Sequence, residues 1–308
     1  MASTTQRYIS KELTHFVGKG LRPASQYKTL IKILSEGWLT HAPHDPSVSG
    51  NLVVKPSAKI SQNEMYSPQV VCFCDIPVED LTLHVSKYSR FGFSFDKEFI
   101  VQQGGAPVHY LPIKSKVKVL LNLTPEQMVE YIKSEDAEQW YKHLNKDEYF
   151  DSMVRKYHKL FQLLHRLIFE EVNTRRYKPK GMLGDSVWDY PRDSDGYPVF
   201  DFPRNALGHF QQRNQILPQP QHDAIWYSQQ LTQLQHFLDF HIFSFLNFFD
   251  HTYPENHPDN FYFEREWRVV GNIKFNVEDV RRILIPKKYA RQLRKDCPHY
   301  YGQLTFLD

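Results

Sequence analysis

The sequence predicts an α+β fold, in which small mixed sheets alternate with helices. Three observations support this class. Short segments with the composition and alternation of half-buried strands occur towards both ends of the chain. Segments with apolar residues at helical spacing separate them. Hydrophobic residues make up 41% of the 308 positions and aromatic residues 15%, which is enough to build a core around such elements.

The first strand and the first helix are expected near the start of the chain. We expect residues 12–18 to form the strand. Ser25 fits the residue that caps a helix at its N-terminus, and Gly37 fits a helix stop. Residues 40–69 contain four prolines, which predict a long surface loop.

Three short strands and one helix are expected in the next segment. The strands are predicted at 70–74, 91–95 and 107–111, and the helix near 79–89. Within that helix, His84 and Tyr88 are four residues apart and therefore share one face.

The middle of the chain is predicted to be an insertion into a single domain that spans residues 1–308. The insertion covers about 113–239 and contains helices near 125–142 and 148–173. Residues 177–222 are rich in Pro, Gly and Asp, which predicts an irregular segment that could fold over a cleft.

The last third is predicted to contain a helix, a strand and a terminal strand and helix. The helix is expected at 224–250 and includes the most apolar run, Phe237–Phe249, which is too short and too polar to span a membrane. The strand is expected at 261–271.

This last strand presents a polar face that suits a functional cleft. Alternation places Glu264, Glu266 and Arg268 on one face. Two neighbouring carboxylates tend to split their proton affinities, so that one stays ionised while the other handles a proton. The alternative is a face that carries charges for solubility and for pairing across strands.

Two further residues are candidates for a cleft. His15 lies on a predicted core strand, where its ring needs a ligand or a partner such as a backbone carbonyl. Lys97 lies at the end of a predicted strand, where cleft residues and solvated charges both occur.

The cysteines favour a reducing compartment rather than a metal site. Cys72 and Cys74 share one strand face, but no second pair accompanies them, so ordinary buried cysteines are expected and no metal is predicted. Three cysteines are too few for a disulfide framework. Together with the absence of a secretory signal, this predicts a cytoplasmic protein without a membrane partner.

The segment 281–295 is the strongest candidate for phosphate contact. It contains seven basic and no acidic residues, although the whole chain has a net charge of only +3. The predicted contacts are Arg281, Arg282, Lys287 and Lys288. A solvated basic face is the alternative.

Several stretches resemble a known family, the AbiGi-type abortive-infection (phage-resistance) proteins. The resemblance is carried by these segments: Ile9–Gly18, Cys72–Pro77, Phe91–Glu98, Gly104–Tyr110 and Tyr262–Arg268. It covers roughly 9–112 and 240–287 and implies an antiphage protein. The family's antitoxin label implies a regulator that binds a partner toxin or nucleic acid.

The order of these segments is also similar, more distantly, to ADP-ribosyltransferases. That resemblance implies an ADP-ribosyltransferase-like fold and an enzyme that uses NAD to modify a nucleic acid or a protein, with a cognate antitoxin as a further partner. Glu266 would stabilise the positive ribose, Glu264 would orient the acceptor and His15 would hold the adenosine-side ribose. Cys74 stands where such enzymes usually carry Ser or Thr.

The same resemblance implies the remaining contacts with NAD. NAD would also contact the following residues: Phe73, Cys74, His84, Tyr88 and Phe93. Tyr88 or Phe93 would stack on nicotinamide. The substrate-binding set, predicted from the position and charge of the residues themselves, is Lys97 and Arg268, with the basic residues Arg281, Arg282, Lys287 and Lys288.

Overall fold

The computed structural model describes residues 10–48, 50–134, 136, 138–174, 199–200, 219–254, 257 and 260–307. The protein is a mixed α/β fold with a seven-stranded sheet and several sheets of two or three strands. The strands in chain order are β1 (Glu12–Phe16), β2 (Trp38–Leu39), β3 (Leu52–Val54), β4 (Tyr66–Pro68), β5 (Val70–Cys74), β6 (Gly92–Asp96), β7 (Ala106–Pro107), β8 (His109–Pro112), β9 (Lys116–Leu120), β10 (Tyr141–Asn145), β11 (Val199–Phe200), β12 (Leu246–Phe249), β13 (Glu266–Val270), β14 (Ile273–Lys274), β15 (Val280–Ile285) and β16 (Gln303–Phe306). The α-helices are α1 (Pro23–Glu36), α2 (Thr82–Lys87), α3 (Lys97–Gln102), α4 (Pro125–Lys133), α5 (Lys146–Thr174), α6 (Gln219–His236) and α7 (Ala290–Asp296).

The seven-stranded sheet has the order β16-β15-β6-β1-β5-β13-β7. β15 and β16 run parallel, and the other neighbours are antiparallel. Its core contains Phe91, Phe93 and Phe95, all fully buried, and α1 packs Leu30 into the same cluster. β15 and α7 are the terminal strand and helix expected from the sequence.

α1 begins earlier than predicted and ends where predicted. Arg22 is the cap residue and Pro23, whose missing N–H would have no partner there, is the first helical residue, so Ser25 lies inside the first turn. Gly37 has a φ of 66°, which closes the helix in a left-handed turn. A Cβ at this position would lie 2.7 Å from the Phe275 carbonyl oxygen.

The predicted loop at 40–69 contains two strands, so that prediction was wrong. β3 and β4 pair in antiparallel register from Leu52↔Pro68 to Val54↔Tyr66. The prolines concealed the strands, because Pro68 occupies the last position of β4, where a ladder donor is not required.

The helix predicted at 125–142 is only half correct. α4 ends at Lys133, and Tyr141–Asn145 form β10, which pairs with β9. The helix predicted at 148–173 is confirmed as α5. Most of the irregular segment predicted at 177–222 lies outside the described residues.

The apolar run Phe237–Phe249 is not one helix, which corrects the prediction of a helix at 224–250. α6 ends at His236, a π-helical turn covers Phe237–Ile242, and β12 pairs in parallel with β8. Nine of the 13 residues in this run are apolar and they cover nearly all faces, so a helical period and a strand period cannot be told apart. In the part of the chain that the structure describes, no helix is both long and apolar enough to cross a membrane.

The strand predicted at 261–271 is shorter than expected. Tyr262–Glu264 form a 3₁₀ turn, Arg265 adopts a left-handed φ of 44°, and β13 begins at Glu266. Glu264 and Glu266 therefore belong to different elements and do not share a strand face.

Candidate functional site

A cleft opens in the sheet where β1 and β5 separate. β1 pairs with β6 along its whole length but with β5 only at Thr14↔Cys74. Beyond this pair, His15 Nδ1 lies 2.8 Å from the Cys72 carbonyl oxygen. The histidine side chain thus occupies the gap between two strands that no longer form a backbone ladder.

The cavity in this cleft has a volume of about 200 Å³. Its lining residues are Thr14, His15, Phe16, Cys72, Phe73, Cys74, His84, Tyr88, Glu264 and Glu266. The expected convergence of His15, Glu264 and Glu266 from distant parts of the sequence is confirmed. The chemical roles assigned to them remain predictions.

His15 is held neutral by its surroundings. Because a carbonyl oxygen can only accept, His15 Nδ1–H donates to Cys72. Burial lowers the pKa of His15, and the hydrogen bond to Cys72 only partly offsets this. The backbone-carbonyl alternative considered for this residue is therefore the one found, on a ring that also lines the cavity.

Glu266 is engaged by an arginine from its own strand. Arg268 Nε and Nη2 donate to the two carboxylate oxygens of Glu266 at 2.9 and 3.0 Å, a bidentate pair. Arg268 Nη1 also donates to the Ser244 carbonyl at 2.5 Å. The backbone N–H of Glu266 donates to the Tyr110 hydroxyl at 2.7 Å, which fixes the start of β13.

Glu264 is likewise neutralised within the chain. Its Oε1 accepts from Lys87 Nζ and, at 2.7 Å, from the Tyr88 hydroxyl. Burial and this hydrogen bond raise the pKa of Tyr88, so its hydroxyl keeps its proton. Glu264 is 8% exposed, and the lysine supplies the countercharge that a buried carboxylate requires.

Three rings form an aromatic wall in the cleft. Phe16 lies 6.2 Å from His84 and 6.1 Å from Tyr88, with interplanar angles of 18° and 14°. The expectation that His84 and Tyr88 point into one cleft is confirmed. Among the residues that the structure describes, neither ring nitrogen of the buried His84 has a hydrogen-bond partner of normal geometry, and burial lowers its pKa although Glu264 opposes the shift.

Both cysteines of β5 are poor candidates for metal or nucleophilic chemistry. Burial raises the pKa of Cys74 to about 12. Cys72 lines the cavity and is exposed, which corrects the expectation of two buried cysteines; partial desolvation of its thiol and the nearby Glu266 carboxylate still raise its pKa. Thiols held in the protonated form are weak ligands and weak nucleophiles. Among the described residues, no group of three or more His, Cys, Asp or Glu side chains could hold a metal ion.

Two predicted contacts do not reach the cavity. Phe93 is fully buried in the sheet core, so it cannot stack on a ligand. Lys97 Nζ donates to Asp75 at 2.8 Å and lies 5.3 Å from the centre of the Trp267 ring. These positions correct both predictions.

The basic segment 281–295 lies away from the cleft and is not one helical face. In the sheet, β15 is two strands from β1, the nearer wall of the cleft, and four strands from β13, which is about 10 Å and about 19 Å at the usual strand spacing. Arg282 Nε and Nη2 donate to Glu12 at 2.9 and 3.0 Å, and Arg281 lies 3.8 Å from Asp96. Arg282 is thus a structural ion-pair partner, which corrects its assignment as a phosphate contact.

A second cavity adjoins the first. It has a volume of about 150 Å³ and shares Cys72 and Glu266 with the cleft. Arg268, predicted to bind substrate, lines it. Sequence reasoning missed Lys87 as the partner of Glu264, although Lys87 lies three residues after His84 and so faces the same way.

These features define a mixed α/β protein with a small aromatic cleft whose two carboxylates are neutralised by residues of the same chain. Residues 60–296 match the family described as "Putative abortive phage resistance protein AbiGi, antitoxin". The chain belongs to this family. Searches of curated proteins and of solved structures find no match.

Proposed function

We propose that this protein is the antitoxin of an abortive-infection pair and acts by binding its cognate toxin. The observation that carries the proposal is that both carboxylates of the cleft are already bound by a cationic side chain of the same chain. Arg268 binds both carboxylate oxygens of Glu266, and Lys87 and Tyr88 bind one carboxylate oxygen of Glu264. A carboxylate that already has a matched cation offers little extra stabilisation to a developing positive charge.

The size of the cavity supports the same proposal. Sites that enclose a cofactor usually measure about 300 to 1,000 Å³. At about 200 Å³ the cleft alone holds one ring system, and it reaches the lower end of that range only together with the adjoining cavity of about 150 Å³, which Arg268 and Glu266 line.

An apolar row on α5 also supports a binding role. The row consists of Leu160, Leu163, Leu164 and Leu167, which are 57%, 39%, 42% and 50% exposed. Their spacing places them on one helical face. Exposed apolar helix faces of this kind commonly pack into a groove of a partner protein.

Co-purification tests the proposal. The tagged chain, coexpressed with each gene adjacent to its own, should retain one product in a stable complex. Leu160→Glu with Leu164→Glu should abolish retention while circular dichroism stays unchanged. The matched control Gln162→Glu with Arg166→Glu changes exposed polar residues of the same helix and should retain the partner. Retention of the partner by the leucine variant would remove α5 from the interface, and loss of binding in both variants would show that the leucine row is not what the partner recognises.

The second candidate function is an NAD-dependent ADP-ribosyltransferase, favoured by one observation. The cavity brings His15, Glu264 and Glu266 together with Phe73, Cys74, His84 and Tyr88. Transfer of labelled ADP-ribose from NAD to cell RNA, DNA or protein, abolished by Glu266→Gln in a folded protein, would establish it. Absence of transfer to all three acceptors would exclude it.

A further inference from the structure

A charged groove lies between α5 and the turn that follows β3. It has a volume of about 420 Å³ and is lined by Lys59, Glu148, Asp151, Ser152, Arg155, Lys156 and Lys159. Its cations come from two elements, since Lys59 faces three basic residues of α5 across the groove. This groove is separate from the cleft, since the two have no described lining residue in common.

One of the two described carboxylates in the groove, Asp151, accepts hydrogen bonds from the opposite wall. Asp151 accepts from the Ser61 backbone N–H at 3.0 Å and from the Ser61 hydroxyl at 2.9 Å. These bonds fix the turn against α5 and set the width of the groove. Asp151 is 6% exposed, so it is a structural anchor rather than a surface charge.

The cations of the groove are not neutralised. Within the described ranges, none of Lys59, Arg155, Lys156 and Lys159 makes an ion pair, and all four are exposed. Arg155 is partly fixed, because its Nε donates to the Asp151 carbonyl at 3.2 Å. Its terminal nitrogens remain available for an anion. With four cations and two carboxylates, the groove has a net positive charge.

The chemistry of the lining selects phosphate over a protein partner. Interfaces between proteins are usually organised around buried apolar or aromatic anchors, and none of the described residues that line this groove is apolar. Lysine, arginine and a serine hydroxyl are the groups that contact nucleic-acid phosphates. Single strands also require aromatic platforms for base stacking, and the part of the lining that the structure describes contains no aromatic residue.

We infer that this groove binds the phosphate backbone of a nucleic-acid duplex without reading its sequence. The contacts are Lys59 on one wall and Arg155, Lys156 and Lys159 on the other. The basic segment 281–295, in which Arg282 is already paired with Glu12, is not the principal contact.

Binding of a fluorescein-labelled DNA duplex of about 20 bp, measured by anisotropy between about 50 and 200 mM NaCl, tests the inference. Each lost phosphate contact should reduce the slope of log K against log salt by about one. Lys156→Ser with Lys159→Ser should therefore reduce the slope by about two and weaken binding about tenfold or more. Lys59→Ser, on the other wall, should reduce it by about one.

The matched control is Lys28→Ser with Lys133→Ser, two exposed lysines outside the groove, which should leave affinity and slope unchanged. Unfolding temperatures equal to that of the wild type show that each variant folds. Wild-type slopes in both groove variants would overturn the inference. So would tighter binding of a single strand of equal length, or equal displacement of the duplex by a poly-glutamate peptide, which would indicate an acidic protein partner.

Discussion

Removal of the arginine from the Arg268–Glu266 pair should destabilise the protein strongly. The two side chains are 15% and 11% exposed, and Arg268 also binds the Ser244 carbonyl. Arg268→Met would leave the Glu266 carboxylate poorly hydrated and without a countercharge. Breaking a buried pair in this way costs about 3 to 5 kcal/mol. We expect a loss of about 3 kcal/mol in the free energy of unfolding, since the cleft admits some water.

A double variant separates the charge from the packing. Glu266→Gln combined with Arg268→Met removes both charges and should recover stability to within about 1 kcal/mol of the wild type. The control is Lys32→Met, because Lys32 and Glu36 form a pair 3.8 Å apart with side chains 65% and 50% exposed. It should change stability by less than about 0.5 kcal/mol.

Urea unfolding followed by circular dichroism provides the measurement. If Arg268→Met loses no more stability than Lys32→Met, Glu266 is not neutralised as the structure indicates, and the reasoning against its catalytic use fails.

Three further predictions concern the core, a buried carboxyl and a helix end. Phe93→Ala should lower the free energy of unfolding in urea by about 3 to 5 kcal/mol, because the ring is fully buried. A loss below about 1 kcal/mol would show that the ring does not pack in the core and is accessible to a ligand. Burial raises the pKa of Asp239 to about 6, so the folded state binds the extra proton and stability falls as pH rises from about 4 to about 6. Burial lowers the pKa of His158 to about 4, so the contribution of His158 makes stability rise with pH over the same range. Asp239→Asn should therefore make the urea midpoint rise with pH over this range, whereas an unchanged profile would contradict a buried, titrating Asp239. Gly37→Ala should cost at least about 1 kcal/mol, and more than Gly20→Ala, where nothing lies within 4 Å of the added carbon; equal thermal unfolding of the two would contradict it.

The elements that were predictable have local signals of their own. Gly37 marks the end of α1 because only a residue without a Cβ fits the left-handed turn against Phe275. The amphipathic spacing of α5 also gave a correct helix. β3, β4 and β10 were missed because strands of three to five residues depend on partners that local patterns do not reveal.

The sequence predicted which residues converge at the candidate site, but not the hydrogen bonds and ion pairs that these residues make. The residues that converge, such as His15 and Glu266, were expected together. Their partners were not, because the Cys72 carbonyl bonded by His15 and the Lys87 ammonium bonded by Glu264 come close only through the tertiary fold. Arg265 shows the same limit: its left-handed conformation breaks the alternation on which the shared face of Glu264 and Glu266 was based.

The growth of bacteria that express this chain tests the central claim most directly. An antitoxin with neutralised cleft carboxylates should leave growth unchanged when expressed alone. It should also restore growth to cells that are arrested by the toxin gene adjacent to its own. Arrest by this chain alone, relieved by Glu266→Gln at equal protein levels, would contradict the account and identify the chain as a toxin that uses this carboxylate.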